Sequence, residues 1–120
     1  MGLDQTLTLE RPGLHTKEFD WRKANALHRW MVENVQDGQD DCGTYEVSIE
    51  QLRQLQGTLK RVVNRRELGP QLLPTLEGFF FGSTEYDVDY LEDAFMALQD
   101  VTEVLDNCRP GDRVTYSSSW

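Results

Sequence analysis

Between Glu77 and Asp106 the chain has no lysine or arginine, yet it carries nine carboxylates there: Glu77, Glu85, Asp87, Asp89, Glu92, Asp93, Asp100, Glu103 and Asp106. A block of one sign sets a local field that repels anionic partners and attracts cationic ones. Cations are scarce overall, with 12 Lys and Arg against 21 acids and a net charge of −9. This balance argues against direct nucleic-acid binding, which needs clustered Lys and Arg to displace counterions from phosphates. It argues equally against adsorption to an anionic membrane. No apolar run approaches the ~20 residues needed to span a bilayer. The start, MGLDQTLTLERPG, lacks the basic and apolar regions of a signal peptide. It matches the short myristoylation pattern through Gly2 and Thr6, but without a polybasic second anchor beside it.

Cysteine is also sparse. Cys42 and Cys108 stand far apart, with no CxxC and no Cys/His pair at ligand spacing, so neither a structural zinc nor any other metal or cofactor site is expected. Without a secretion signal, the expectation is two free thiols in a reducing cytoplasm. Disorder is excluded by what is present: 38% hydrophobic residues and twelve aromatic side chains. A chain of 120 residues has room for one modest core.

Alternation of Leu3, Gln5, Leu7 and Leu9 with Asp4, Thr6 and Thr8 predicts a strand over 3–9, ended by Arg11-Pro12-Gly13. Trp21, Ala24, Leu27, Met31 and Val35 recur at helical spacing, widened by Trp30, so a helix over 21–35 with Asp20 as its cap is expected. A short strand is expected over 44–47. Ser48 then opens a second helix through the capping box S-I-E-Q, with Val47 and Leu52 placed as a hydrophobic staple. Gly57 inside that helix suggests close packing or a kink. Its outer face is basic, through Arg53, Lys60, Arg61, Arg65 and Arg66. The glycine-bounded run Gly78–Gly82 reads as a buried strand, and Ser83 or Thr84 as the start of a third helix. Val88, Leu91, Ala94, Phe95, Leu98, Val101, Thr102 and Leu105 form that helix's expected buried stripe. Residues 113–116 are expected to add an edge strand, and 117–120 a flexible tail. The fold class is therefore α+β, with three main helices on a small, mostly antiparallel sheet in a single domain over 1–116.

Several clusters carry chemistry worth weighing. Asp40 and Asp41, on a glycine-flanked loop, present hard oxygen ligands, but no register fits an EF-hand, so a solvated turn or a partner contact is the simpler role. Cys42 with His28 suggests a nucleophile and base, yet the adjacent Asp40 and Asp41 oppose thiolate formation. His15 is expected in a loop. Glu85 and Asp87 suit capping at the start of the third helix. Trp21, His28, Trp30, Cys42 and Tyr45 could line a pocket, although aromatics at these spacings are more often core. Asp89, Glu92, Asp93, Asp100 and Glu103 project from one helix face. They could imitate DNA phosphates, contact a protein, or be balanced by the basic second helix.

The opening MGLD, the stretch WRKANALHRWMVENVQDGQDDCGTYEVS (Trp21–Ser48) and GFFFGSTEYD (Gly78–Asp87) resemble a family of small uncharacterised bacteriophage proteins. The likeness stops short of the segment from Arg109 onward. It implies a phage accessory protein of the bacterial cytoplasm and transfers no catalytic residue. The expected function is binding to a host or phage protein with a basic surface, as an acidic inhibitor of a host defence protein. The expected contacts are Asp40, Asp41, Glu85, Asp87, Asp89, Glu92 and Asp93. The alternative is a small enzyme or nucleotide-binding protein with a site around His28, Asp40, Asp41, Cys42 and Glu85.

Overall fold

The computed structural model describes residues 2–13, 15–78 and 81–120. In chain order the elements are β1 (Asp4–Arg11), β2 (His15–Arg22), α1 (Asn25–Asn34), β3 (Thr44–Glu46), α2 (Ile49–Asn64), a 3-10 turn at Arg66–Leu68, the short α3 (Gly69–Leu72), α4 (Val88–Asn107) and β4 (Arg113–Ser119). All strand pairs are antiparallel, in the order β2-β1-β4-β3. The α+β class is as expected, while the sheet is assembled differently.

Alternation decides which side of the sheet is buried. Gln5, Leu7 and Leu9 of β1 pair with Trp21, Phe19 and Lys17 of β2, and with Ser118, Tyr116 and Val114 of β4. Successive side chains point to opposite faces, so these rows share one side, and most of their members are buried. The other side carries Thr6, Thr8, Glu18, Asp20, Ser117 and Arg113, a polar surface of the kind an antiparallel sheet can leave to water.

Several expectations are corrected here. Trp21 and Asp20 belong to β2, not to a first helix and its cap, and His15 begins that strand instead of lying in a loop. Phe19 and Trp21 alternate with Glu18 and Asp20, and pairing with β1 secures that two-residue period over the helical one. Asp20 accepts a hydrogen bond from the Thr6 hydroxyl across the strands (2.9 Å). Residues 113–119 form an interior strand: Ser117, Ser118 and Ser119 pair with Thr6, Gln5 and Asp4, so the tail expected at 117–120 is mostly sheet. Finally, Gly78, Phe81 and Gly82 are not in a strand, and Phe79 and Phe80 lie outside the described residues.

The second helix matches its capping chemistry. The Gln51 amide donates to Ser48 Oγ (3.1 Å), while the Ser48 amide donates to Gln51 Oε1 (2.9 Å). Leu52, Leu55, Leu59 and Val62 are its buried stripe. Ser83 and Thr84 do not open α4; Asp87 does, accepting from the Tyr90 amide at 3.1 Å. The segment before it is tied to α1 by one buried side chain. Asn25 donates to the carbonyls of Phe81 (2.9 Å) and Ser83 (2.8 Å) and accepts from the Leu76 amide (2.9 Å).

Candidate functional site: the outward face of α4

Helix α4 has more apolar surface than its fold can bury. Its buried residues are Tyr90, Ala94, Ala97, Val101 and Val104, rotated from the stripe expected on Val88 and Phe95. Two alanines in the centre let the helix lie close to its neighbours, and Tyr90 is held inward by its hydroxyl donating to the Leu73 carbonyl (2.7 Å). Val88, Phe95 and Met96 are consequently 64%, 48% and 55% exposed. At 100° per residue they share the outward side with Glu92 and Gln99.

The carboxylates divide by partner. Asp100 accepts from Trp21 Nε1 at 2.8 Å, and Glu103 is ion-paired with Lys17, so these two fasten α4 to β2. Among the described residues, Glu85, Asp87, Asp89, Glu92, Asp93 and Asp106 have no salt bridge. Nor, among the described residues, do Arg53, Lys60, Arg61 and Arg66 of the basic side of α2 and its end. The two helices pack against each other through apolar residues and a hydrogen bond from Gln56 to the Thr102 hydroxyl (3.0 Å), with no salt bridge between them among the described residues. Neutralisation of one by the other is therefore corrected: among the described residues no salt bridge joins α2 to α4, and the first half of the acidic face has none at all.

Asp93 registers that field. Burial, then repulsion from Asp89, Glu92 and Asp87, raises its pKa to about 6. It borders a cleft of about 200 Å³ between the starts of α1 and α4, with Asp89, Asp87 and Glu85 on one side and Arg22 and Lys23 on the other. Because the folded state holds this proton more tightly than the unfolded chain, its contribution is fully present below pH ~4 and is lost as pH rises through ~6. Asp93→Asn is expected to remove that loss and to raise stability at pH 7.5 by about 1–2 kcal/mol, less than the full linkage value because the group is partly solvated. Urea unfolding of both proteins at pH 5 and 7.5 checks it: a pH-independent difference would contradict the assignment.

The other expected site residues fall in separate places. His28 is fully buried, and its Nε2–H donates to Asp40 Oδ1 at 2.8 Å. Its Nδ1 accepts from the Tyr116 hydroxyl (2.7 Å), which accepts in turn from Gln5 Nε2 (3.2 Å). Trp120 Nε1 also donates to Asp40 Oδ1 (3.1 Å), pinning the end of the chain. Burial drives the Tyr116 pKa upward, outweighing the opposing hydrogen bond from Gln5. This hydroxyl is fully buried, and the chain of bonds runs from it through His28 to Asp40, whose carboxylate is partly exposed, tying the core to the loop after α1. Sequence pattern offered no route to it, because Gln5 and Tyr116 meet only through β1–β4 pairing.

Asp41 turns away from His28, accepting from the Tyr45 hydroxyl (2.7 Å) and the Gly43 amide (3.0 Å), and the Tyr45 bond lowers its pKa. Cys42 is exposed, and Glu85 sits at the separate α4 cleft. His28, Asp40, Asp41, Cys42 and Glu85 thus do not converge on one point. Nor do Trp21, Trp30, His28, Cys42 and Tyr45 line a common cleft among the described residues. Trp21 and His28 are both buried beside Tyr116, with ring centroids 6.5 and 5.9 Å from it, whereas Trp30 borders a groove toward α2 and Cys42 is exposed. Among the described residues, no group of three or more His, Cys, Asp or Glu side chains is placed to hold a metal ion, and no helix is long and apolar enough to cross a membrane. Comparison with protein-family models, curated proteins and solved structures gives no match to this chain.

Proposed function

We propose that this chain is a phage-encoded accessory protein that acts by binding, docking the outward face of α4 onto a basic surface of a host or phage protein in the bacterial cytoplasm. The phage origin rests on the sequence resemblance. The binding role is carried by one observation: three exposed apolar side chains, Val88, Phe95 and Met96, stand beside Asp89, Glu92 and Asp93, which have no salt bridge among the described residues. Apolar anchors at the centre of a polar rim are the usual anatomy of a protein interface. Uncompensated charge around them steers a basic partner and makes association salt-sensitive. A defence protein that grips nucleic acid presents such a basic surface, and covering it would inhibit it. Carboxylates then stand in for phosphates, while Phe95 and Met96 add anchors that a phosphate backbone lacks.

The test is capture from bacterial lysate by four immobilised proteins: wild type, Phe95→Asp, Asp89→Lys with Glu92→Lys, and a charge-matched control, Glu10→Lys with Glu18→Lys, on the polar sheet face. Wild type and control are expected to retain the same basic protein and to release it as salt rises. Both α4 variants are expected to lose about tenfold or more in affinity. Equal retention by the α4 charge variant and the control would remove α4 from the interface.

A further inference from the structure

Gly57 lies in the middle of α2, where glycine is the costliest residue after proline. Two structural reasons could keep it there, and neither applies. Its φ is not positive, and a Cβ built on it would meet nothing within 4 Å. Nor is the helix interrupted, since α2 runs unbroken from Ile49 to Asn64. The space a side chain would fill is open, and it forms part of a groove bordered by Trp30 and Asn34 of α1 and by Arg53, Gln54, Thr58 and Arg61 of α2. Arg53 and Arg61 stand one turn to either side of Gly57 on the same face. Neither has an ion-pair partner among the described residues.

We infer that this notch receives the outward face of α4 from a second copy of the chain. The complementary surface is present on the same molecule: exposed Phe95 and Met96, with Glu92 one turn before them and Gln99 one turn after. With the apolar pair seated over Gly57, Glu92 and Gln99 fall about 5–6 Å along the helix to either side, level with the two arginines. One carboxylate and one amide oxygen then accept from guanidinium groups that have no ion-pair partner among the described residues. Absence of a Cβ at Gly57 lets the two helices approach closely. The two surfaces differ, so the contact is head-to-tail and leaves a free notch at one end and a free α4 at the other. The net charge of −9 opposes the contact at low salt, so moderate salt favours it up to the point where the local pairs are themselves screened.

The inference does not rest on the proposed function, because it concerns the purified chain alone. Its failure would leave docking to a foreign basic protein standing. Sedimentation velocity at rising concentration and physiological salt is the test. Wild type is expected to form a concentration-dependent series above the monomer. Gly57→Gln fills the notch and improves helix propensity, so its fold is secure, and Phe95→Asp removes the knob. Each variant alone is expected to be monomeric. A one-to-one mixture retains one intact notch and one intact knob, and is expected to form dimers and nothing larger. A wild type that stays monomeric to its solubility limit, a Gly57→Gln variant that associates like wild type, or a mixture that stays monomeric would each overturn the inference.

Discussion

Replacing His28 by alanine is expected to lower the unfolding free energy by about 3–4 kcal/mol. The imidazole is fully buried and receives or gives a hydrogen bond at each nitrogen, to Tyr116 and Asp40. Its ring also packs edge-on against Phe81, with centroids 5.5 Å apart. Removing it leaves a cavity and strands the Tyr116 hydroxyl with no acceptor in a site closed to water. Tyr116→Phe removes less, about 1–2 kcal/mol, because no volume is lost. The two substitutions break the same bond, so the double variant should fall short of the sum of the singles. Urea unfolding of the four proteins measures this cycle, and strict additivity would show that the chain from Gln5 to Asp40 does not act as a unit. None of these residues is on α4, so partner capture should survive wherever the variants remain folded.

Asn25→Ala is expected to cost about 2–4 kcal/mol and to loosen one particular stretch of chain. A single buried amide joins α1 to the Leu76, Phe81 and Ser83 backbone, with both donors and the acceptor in use. Water cannot replace those bonds at a site that is almost fully buried. Asn25→Asp sharpens the test, since it keeps the acceptor for Leu76 but sets a carboxylate against two carbonyls. It should be at least as damaging. Hydrogen exchange at the Leu76 amide provides the local readout, with protection falling well beyond the global change in stability. Exchange that follows global stability alone would show that Asn25 is merely a core residue. The stretch leads into Asp87, the cap of α4, so the same loosening should fray the start of the acidic face.

Much of the fold was legible where local chemistry and tertiary packing agree. Ser48 and Gln51 form their capping box, and β1 and β3 lie where alternation or short β-rich sequence placed them. What failed were decisions made by distant partners. Trp21 fits a helical stripe with Ala24 and Leu27, yet it alternates with Asp20 and Phe19 once β1 is beside it. Ser117–Ser119 have weak strand preference and look like a tail, but they pair with Asp4–Thr6 from the far end of the chain. On α4 the expected stripe held Ala94 and Val101, which are buried, but close approach also buried Ala97 and left Val88 and Phe95 outside. The acids of that helix were visible in the sequence. Which of them find partners was not, because Asp100 and Glu103 meet Trp21 and Lys17 only through the docking of α4 on β2.

The account rests on α4 as the surface that meets a partner, and site-specific photo-crosslinking tests that most directly. A photoreactive residue at position 96 of α4 and another at position 8 on the polar sheet face are compared in bacterial lysate. Crosslinking of one protein from position 96, suppressed by high salt and absent from position 8, is the predicted result. Crosslinking of the same protein from position 8 with none from position 96 would contradict it.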